Sequence, residues 1–532
     1  MTPIKILYIF EILTVLGIAF GILPRPIAFL LVALIVIFIL TKPLEEGVVF
    51  FVASIPLFVA LPITSGFDSL SSARVIIIFL FFKWLILRNF RVIKINFSRL
   101  NLKKWLKNNQ FEFFALALFL LLGASVLVAE DKIAAIKKII YLANLSVFFL
   151  VSREVIKNSD VLKRIIRAIT FSLLFVMGVA AGQLISVYFS TLGGFWEWWA
   201  NHFSFGFYGE NLRRIILNAN TWFAASPFGP SVIRLFGSFA DSHSFALYIL
   251  LCAPFLVVLT FSVFKDQLTS AQIYLKKFLK LKISPAIRKN FVKRIIFLLL
   301  ALFFIILSGT RGIWVGVIFG IFGFIVLVLK KKDFNRSASL VFLSLLFFIF
   351  LIPAASFYTI IPQFKDYSGQ EPDATMFLKR LASVLDLEET SNSGRLYIWG
   401  ESLKSLARHP LLGLGVGNFP RALDQDIALA KAGSSAHSLY LNFGVESGIF
   451  AILFLFLLFA DVLKTLYRNL QKSCSVKGKL LLSGFFIYLL WVFGYCFFDI
   501  ALLDERVFLL FLTILGIIYA IKRNPEIILK YE

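Results

Sequence analysis

The sequence predicts an all-α polytopic integral membrane protein, and three observations carry that expectation. Apolar stretches long enough to cross a bilayer recur along all 532 residues, charged residues make up only 16%, and Lys and Arg crowd into alternate connecting segments. Phenylalanine occurs 63 times and the mean hydropathy is +0.88, values that exclude an ordinary soluble domain.

Hydropathy places about fourteen spans along the chain. They fall at approximately 6–22, 27–41, 47–64, 73–88, 111–128, 134–151, 164–188, 242–264, 293–309, 312–329, 339–360, 439–463, 479–498 and 505–521. The first is read as a span rather than a cleaved signal peptide, because no Ala-x-Ala-like site follows it and another apolar segment begins at once. Three regions result: an N-terminal transmembrane bundle over 1–360, with about eleven spans; a large helical outer loop over 361–438; and C-terminal transmembrane helices over 439–532.

The formal charge of +24 raises nucleic acid as a partner, and its distribution argues against it. Basic residues fill the segments Arg88 to Lys107, Arg153 to Arg167, Lys265 to Arg294, Lys330 to Arg336 and Lys464 to Lys479. With both termini inside, that pattern is the positive-inside bias of a polytopic membrane protein, with attraction to anionic membrane lipids as a corollary. Cys252, Cys474 and Cys496 are too few for a disulfide framework and read as packing residues.

This topology leaves two long segments on the outer face, 189–241 and about 361–438, and function is expected there. In the second, "DATMFLKRLASVLDL" (373–387) and "GRLYIWGESLKSLARH" (394–409) place apolar residues at helical spacing, with a further short helix near 420–431. The three glycines of "PLLGLGVGNFP" (410–420) lack the Gly-Lys-Ser/Thr of a phosphate loop and read as a tight reversal. "FWEWW" (195–199) suits a membrane interface.

His437 closes the large loop, where a neutral imidazole is able to take a proton near pH 7, although a cap or interface role is the simpler reading of a lone histidine. Glu446 follows inside the apolar run, a costly place for an acid. Arg395 in "NSGRLYIW", Arg311 in "LSGTRGIWVG" and Arg234 in "VIRLFGSFADSHS" each lie beside Gly or Ser at the same face, which suits a diphosphate clamp. Any one of them alone is explained by snorkelling. Lys137 and Lys138 either join that anion site or snorkel as well. Asp241 and His243 are too few for a metal site, and neither a catalytic metal nor a cofactor is expected.

"SNSGRLYIWGESLKSLARHPLLGLGVGNFP" followed by "AHSLYLNFGVESGIF" resembles the signature region of the bacterial O-antigen ligase and polymerase superfamily. His437, Ser438 and Gly448 fall at matching positions of the ligase motif, while Ala451 departs from its last position. The resemblance is strongest over 390–455, with echoes at 234–248 and 307–316. It implies a GT-C-like membrane glycosyltransferase acting on the periplasmic face without a metal cofactor. His437 would activate the acceptor hydroxyl, and Arg395 and Arg311 would hold the diphosphate of a polyprenyl-linked glycan. Arg234, Ser438, Glu446, Lys137 and Lys138 would support substrate binding. The expected acceptor is a lipid A-core or related glycan, as in a ligase. A polymerase extending polyprenyl-linked repeats, a protein O-oligosaccharyltransferase and a lipid-linked glycan transporter remain alternatives.

Overall fold

The computed structural model describes residues 3–64, 67–88, 109–217, 223–226, 229–261, 285–330, 390–425, 435–473 and 475–531. They are mostly helical, as long apolar runs require when only intrahelical bonds can satisfy the backbone. The first half forms α1 (Pro3–Ala19), α2 (Ile27–Thr41), α3 (Leu44–Ser54), α4 (Ser72–Leu87), α5 (Gln110–Ser125), α6 (Lys132–Val155) and α7 (Ser159–Ser186), then short helices α8 (Leu192–Trp198), α9 (Phe205–Tyr208) and α10 (Glu210–Leu217). The second half forms α11 (Ser242–Phe261), α12 (Pro285–Leu307), α13 (Arg311–Lys330), α14 (Thr390–Arg408), α15 (Leu439–Ser447), α16 (Ile449–Lys472), α17 (Val476–Tyr495), α18 (Glu505–Arg523) and α19 (Glu526–Leu529).

Among the described residues six helices, α6, α7, α11, α13, α16 and α17, are long and apolar enough to cross a membrane. Two of them form the centre. Most of the apolar length of α11 (89%) and α17 (83%) is buried, against 28% for α6, so α11 and α17 face protein all round while α6 shows much of its surface outward. Helix α13 lies against α17 along a seam of small residues: Gly312, Gly316, Gly320 and Gly323 meet Tyr495, Trp491 and Leu490, and the Trp491 indole donates to the Ile313 carbonyl at 2.7 Å.

The structure changes several expectations. The span expected over 47–64 is helical only to Ser54, continues as a turn of 3-10 helix and then pairs as a short strand, Ala60–Leu61 with Leu70–Ser71. Phe223–Ser226 and Gly229–Ile233 form a second small hairpin, and the described residues remain mostly helical, as an all-α membrane protein requires. The span expected over 439–463 is broken. It reverses at Gly448 (φ 84°), and the Tyr440 ring stacks on Phe456 at 4.5 Å, a pair that a straight helix would hold about 24 Å apart. A side chain at 448 would collide with the Leu411 carbonyl, which leaves glycine as the residue that fits.

Helix α14 covers the expected helix at 394–409, and Phe419–Leu423 forms a 3-10 turn. The glycines at 413, 415 and 417 all take positive φ, and Gly415 lies directly on Ala129. The span expected over 339–360, the helix at 373–387 and residues 426–434 lie outside the described residues, as does Cys474. Cys252 and Cys496 are buried as free thiols.

Candidate functional site

The site gathers at one end of the central helices. Helix α11 begins there at Ser242, α13 begins at Arg311, α17 ends at Tyr495, and α15 begins just after His437. Short polar turns tie these ends together. The Leu235 amide donates to the Leu307 carbonyl at 3.0 Å, the Thr310 hydroxyl to the Ser242 carbonyl at 3.2 Å, and the Leu439 amide to the Cys496 carbonyl at 2.8 Å. Asp241 caps α11 by accepting from the Ser244 amide and hydroxyl, at 2.8 and 2.9 Å.

His437 occupies the left-handed region at φ 46°, an uncommon conformation for a residue with a side chain. Its amide donates to the Ser435 hydroxyl, and Ser438 beside it caps α15 by accepting from the Leu441 amide. The Trp399 indole of α14 donates to the Ala436 carbonyl at 2.9 Å, which fixes the helix bearing Arg395 against the turn bearing His437. Burial lowers the proton affinity of His437 below that of a free imidazole; the Asp499 carboxylate opposes this, and Arg395 and His243 add to it.

Asp499, on the turn after α17, is 7% exposed and sits at the centre of the charges. His243 Nδ1 approaches its Oδ2 at 3.0 Å and the Tyr495 hydroxyl at 3.0 Å. Burial pushes the Asp499 carboxyl up, and the neighbouring His243, His437 and Arg395 more than offset that, holding it at about 2. Arg234 reaches the same place from the other side: its Nε donates to the Ser308 carbonyl at 3.0 Å and a terminal nitrogen faces His243 Nε2 at 3.2 Å. Arg311 and Asp241 are its charged neighbours along with Asp499.

Among the described residues, Arg234, Arg311, Arg395 and His437, four residues chosen from sequence, are thus linked electrostatically through Asp499: Arg234 interacts with Arg311, Asp241 and Asp499, and Arg395 with His437 and Asp499. A cluster of guanidinium groups of this kind is able to receive an anion.

Lys138 and Glu446 stand apart from it. Helix α15 runs away from His437 and carries Glu446 about 13 Å along its axis. There the Lys138 ammonium donates to both Glu446 oxygens at 2.7 Å. Lys137 is exposed on α6. Sequence reading missed Asp499 and Tyr495 and set His243 aside. The available signal was an acid in "CFFDIALLDER" directly after an apolar span.

An apolar cavity of about 380 Å³ opens beside the site, between α5, α6, α16 and α18. Leu439 and Leu502, which follow closely on His437 and Asp499, line one part of it, with Phe443, Leu455 and Phe511. Residues 296–456 match the family model for O-antigen ligase. The match supports the superfamily resemblance, and the matched residues include Arg311, Arg395, His437 and Ser438. Arg234, His243 and Asp499 lie outside that segment and reach it through the fold. Comparison with curated proteins gives no match.

Proposed function

We propose that the protein is a membrane glycosyltransferase of the O-antigen ligase type. It transfers a glycan en bloc from a polyprenyl diphosphate to a lipid A-core or related acceptor on the periplasmic face of the bacterial inner membrane. The convergence of Arg234, Arg311 and Arg395 on the surroundings of His437 is the observation that carries the reading. About fourteen spans with both termini cytoplasmic, and the regions 1–360, 361–438 and 439–532, belong to the same proposal.

In the reaction the acceptor oxygen attacks the anomeric carbon as His437 takes its proton. The bond from that carbon to the diphosphate oxygen breaks, its electron pair leaves with the diphosphate, and the configuration inverts. Arg311 and Arg395 stabilise the charge that develops on the leaving group, which in a site of low dielectric supplies what a divalent ion supplies elsewhere. The neighbouring cavity, lined by Leu439, Phe443 and Leu502, offers the prenyl chain an apolar seat.

The test is a transfer assay with purified protein in lipid and EDTA, using a polyprenyl-diphosphate oligosaccharide with or without a lipid A-core acceptor. Glycan on the core, lost in His437→Ala, is expected. A ladder of repeats on the prenyl lipid would make the protein a polymerase. Undiminished transfer by a folded His437→Ala variant would remove that residue from the chemistry.

A further inference from the structure

His243 has a fixed tautomer. Its Nε2 faces a terminal nitrogen of Arg234 at 3.2 Å, and a guanidinium is only a donor, so Nε2 accepts. The ring proton is thereby assigned to Nδ1, which faces the Asp499 carboxylate and the Tyr495 hydroxyl, each at 3.0 Å. An imidazolium would aim its Nε2–H at the guanidinium, donor against donor and charge against charge. The arrangement therefore holds a neutral ring next to a carboxylate, with an arginine occupying its free lone pair.

Arg234 belongs to the same group of arginines as Arg311 and Arg395, to which the proposed function assigns the donor diphosphate, and is here taken to contact it as well. Among the described residues its Nε donates to the Ser308 carbonyl at 3.0 Å, and its side chain packs on Gly309, so that Arg234 is held by a carbonyl and an imidazole and by no carboxylate hydrogen bond. We infer that His243 is a second diphosphate-binding residue: when a prenyl diphosphate draws Arg234 toward itself, Nε2 is uncovered, takes a proton and holds the diphosphate as an imidazolium. The proton comes from water. The Asp499 carboxylate, already bonded at Nδ1, balances the new charge, as an acid does for a histidine that ionises during its work.

The groups that face His243 are consistent with this. Arg234 approaches from the turn before α11, Asp499 and Tyr495 from the end of α17, and Asp241 lies on the turn that leads into α11. Arg311 lies beyond Arg234, while His437 and Arg395 lie beyond Asp499. A bound diphosphate adds at least two negative charges among these guanidinium groups, which turns the local balance from excluding an imidazolium to favouring one.

The inference rests on the proposed function, and one experiment separates the two. The chain has four histidines, so ¹³C,¹⁵N-histidine labelling of the full-length protein in nanodiscs gives four ring systems, assigned by replacing each residue in turn. At pH 7.5 the His243 signals are expected at the neutral Nδ1–H positions, and at the imidazolium positions once geranylgeranyl diphosphate saturates the protein, with ³¹P shifts of the probe reporting its binding. Geranylgeraniol, which lacks the diphosphate, should leave them neutral, and His437→Ala should leave the response intact. Asp499→Asn should diminish it while the probe still binds. In the transfer assay His243→Gln should raise the donor KM about tenfold and change kcat less. A probe that binds while His243 stays neutral overturns the inference and spares the proposed function. A probe that does not bind the wild type at all overturns both.

Discussion

Arg234 and Arg506 grip the same segment, residues 234–244, and have opposite fates. Arg506 is 3% exposed, donates to the Ser238 and Phe58 carbonyls at 2.9 and 2.6 Å, and is enclosed by the rings of Phe207, Tyr208 and Phe239. Arg234 is only partly buried, and what it holds, a carbonyl and an imidazole, is easily exchanged for an anion. Buried charge that is wrapped and bonded fixes structure. Charge that is partly open and faced by weaker partners is available for a ligand.

The largest expected effect comes from Arg506→Leu. It would strand two carbonyls and open a void among the three rings, a loss of about 3 to 5 kcal/mol. A fall in melting temperature with loss of folded yield in detergent would bear this out, and an unchanged melting curve would erase the contrast with Arg234. Next comes Arg234→Ala, expected to leave the melting temperature nearly unchanged and to raise the donor KM about tenfold or more, since a charge-assisted contact to phosphate is lost. Unfolding of that variant would move Arg234 to the structural side.

Lys138 and Glu446 sharpen the comparison, because they form a satisfied pair next to the site rather than in it. Lys138→Met leaves the Glu446 carboxylate buried and alone, while adding Glu446→Leu removes the stranded charge. A double-mutant cycle on thermal stability should give a coupling of about 1 to 3 kcal/mol with transfer reduced less than in any site arginine variant.

The smallest effect concerns pH. Transfer needs His437 neutral, so the rate should fall as the pH drops through its lowered proton affinity. The Asp499 carboxylate raises that affinity, and Asp499→Asn removes the support, so the acid limb of kcat/KM should move to lower pH. A limb that moves upward would contradict the arrangement of charges.

Much of the site was legible because single polar residues stand out in an apolar chain. Arg234 and Arg311 each stand beside a long apolar run and Arg395 at the start of an amphipathic helix, which is why they could be picked out, and the anion clamp they would form belongs to the proposed function. The α15–α16 reversal was not legible. "LYLNFGVESGIFAILFLFLLFA" has the hydropathy of one span, and only the Leu411 carbonyl pressed against Gly448 shows why it turns. That turn also explains Glu446, which seemed to lie deeper than His437 along one helix and instead lies at the far end of a short one, bonded to Lys138.

The sequence by itself determined the class of molecule, since hydropathy and the spacing of charge are properties of the chain that no packing alters. It also determined which residue types were present for anion binding and proton transfer. Tertiary structure alone decided which of them meet. Asp499 and His243 are distant in the chain and touch because α11 and α17, buried on nearly all sides, end at the same level of the bundle. Hydropathy specifies that a helix is buried; the fit of one helix against another, here through glycines and short polar turns, specifies which ends come together.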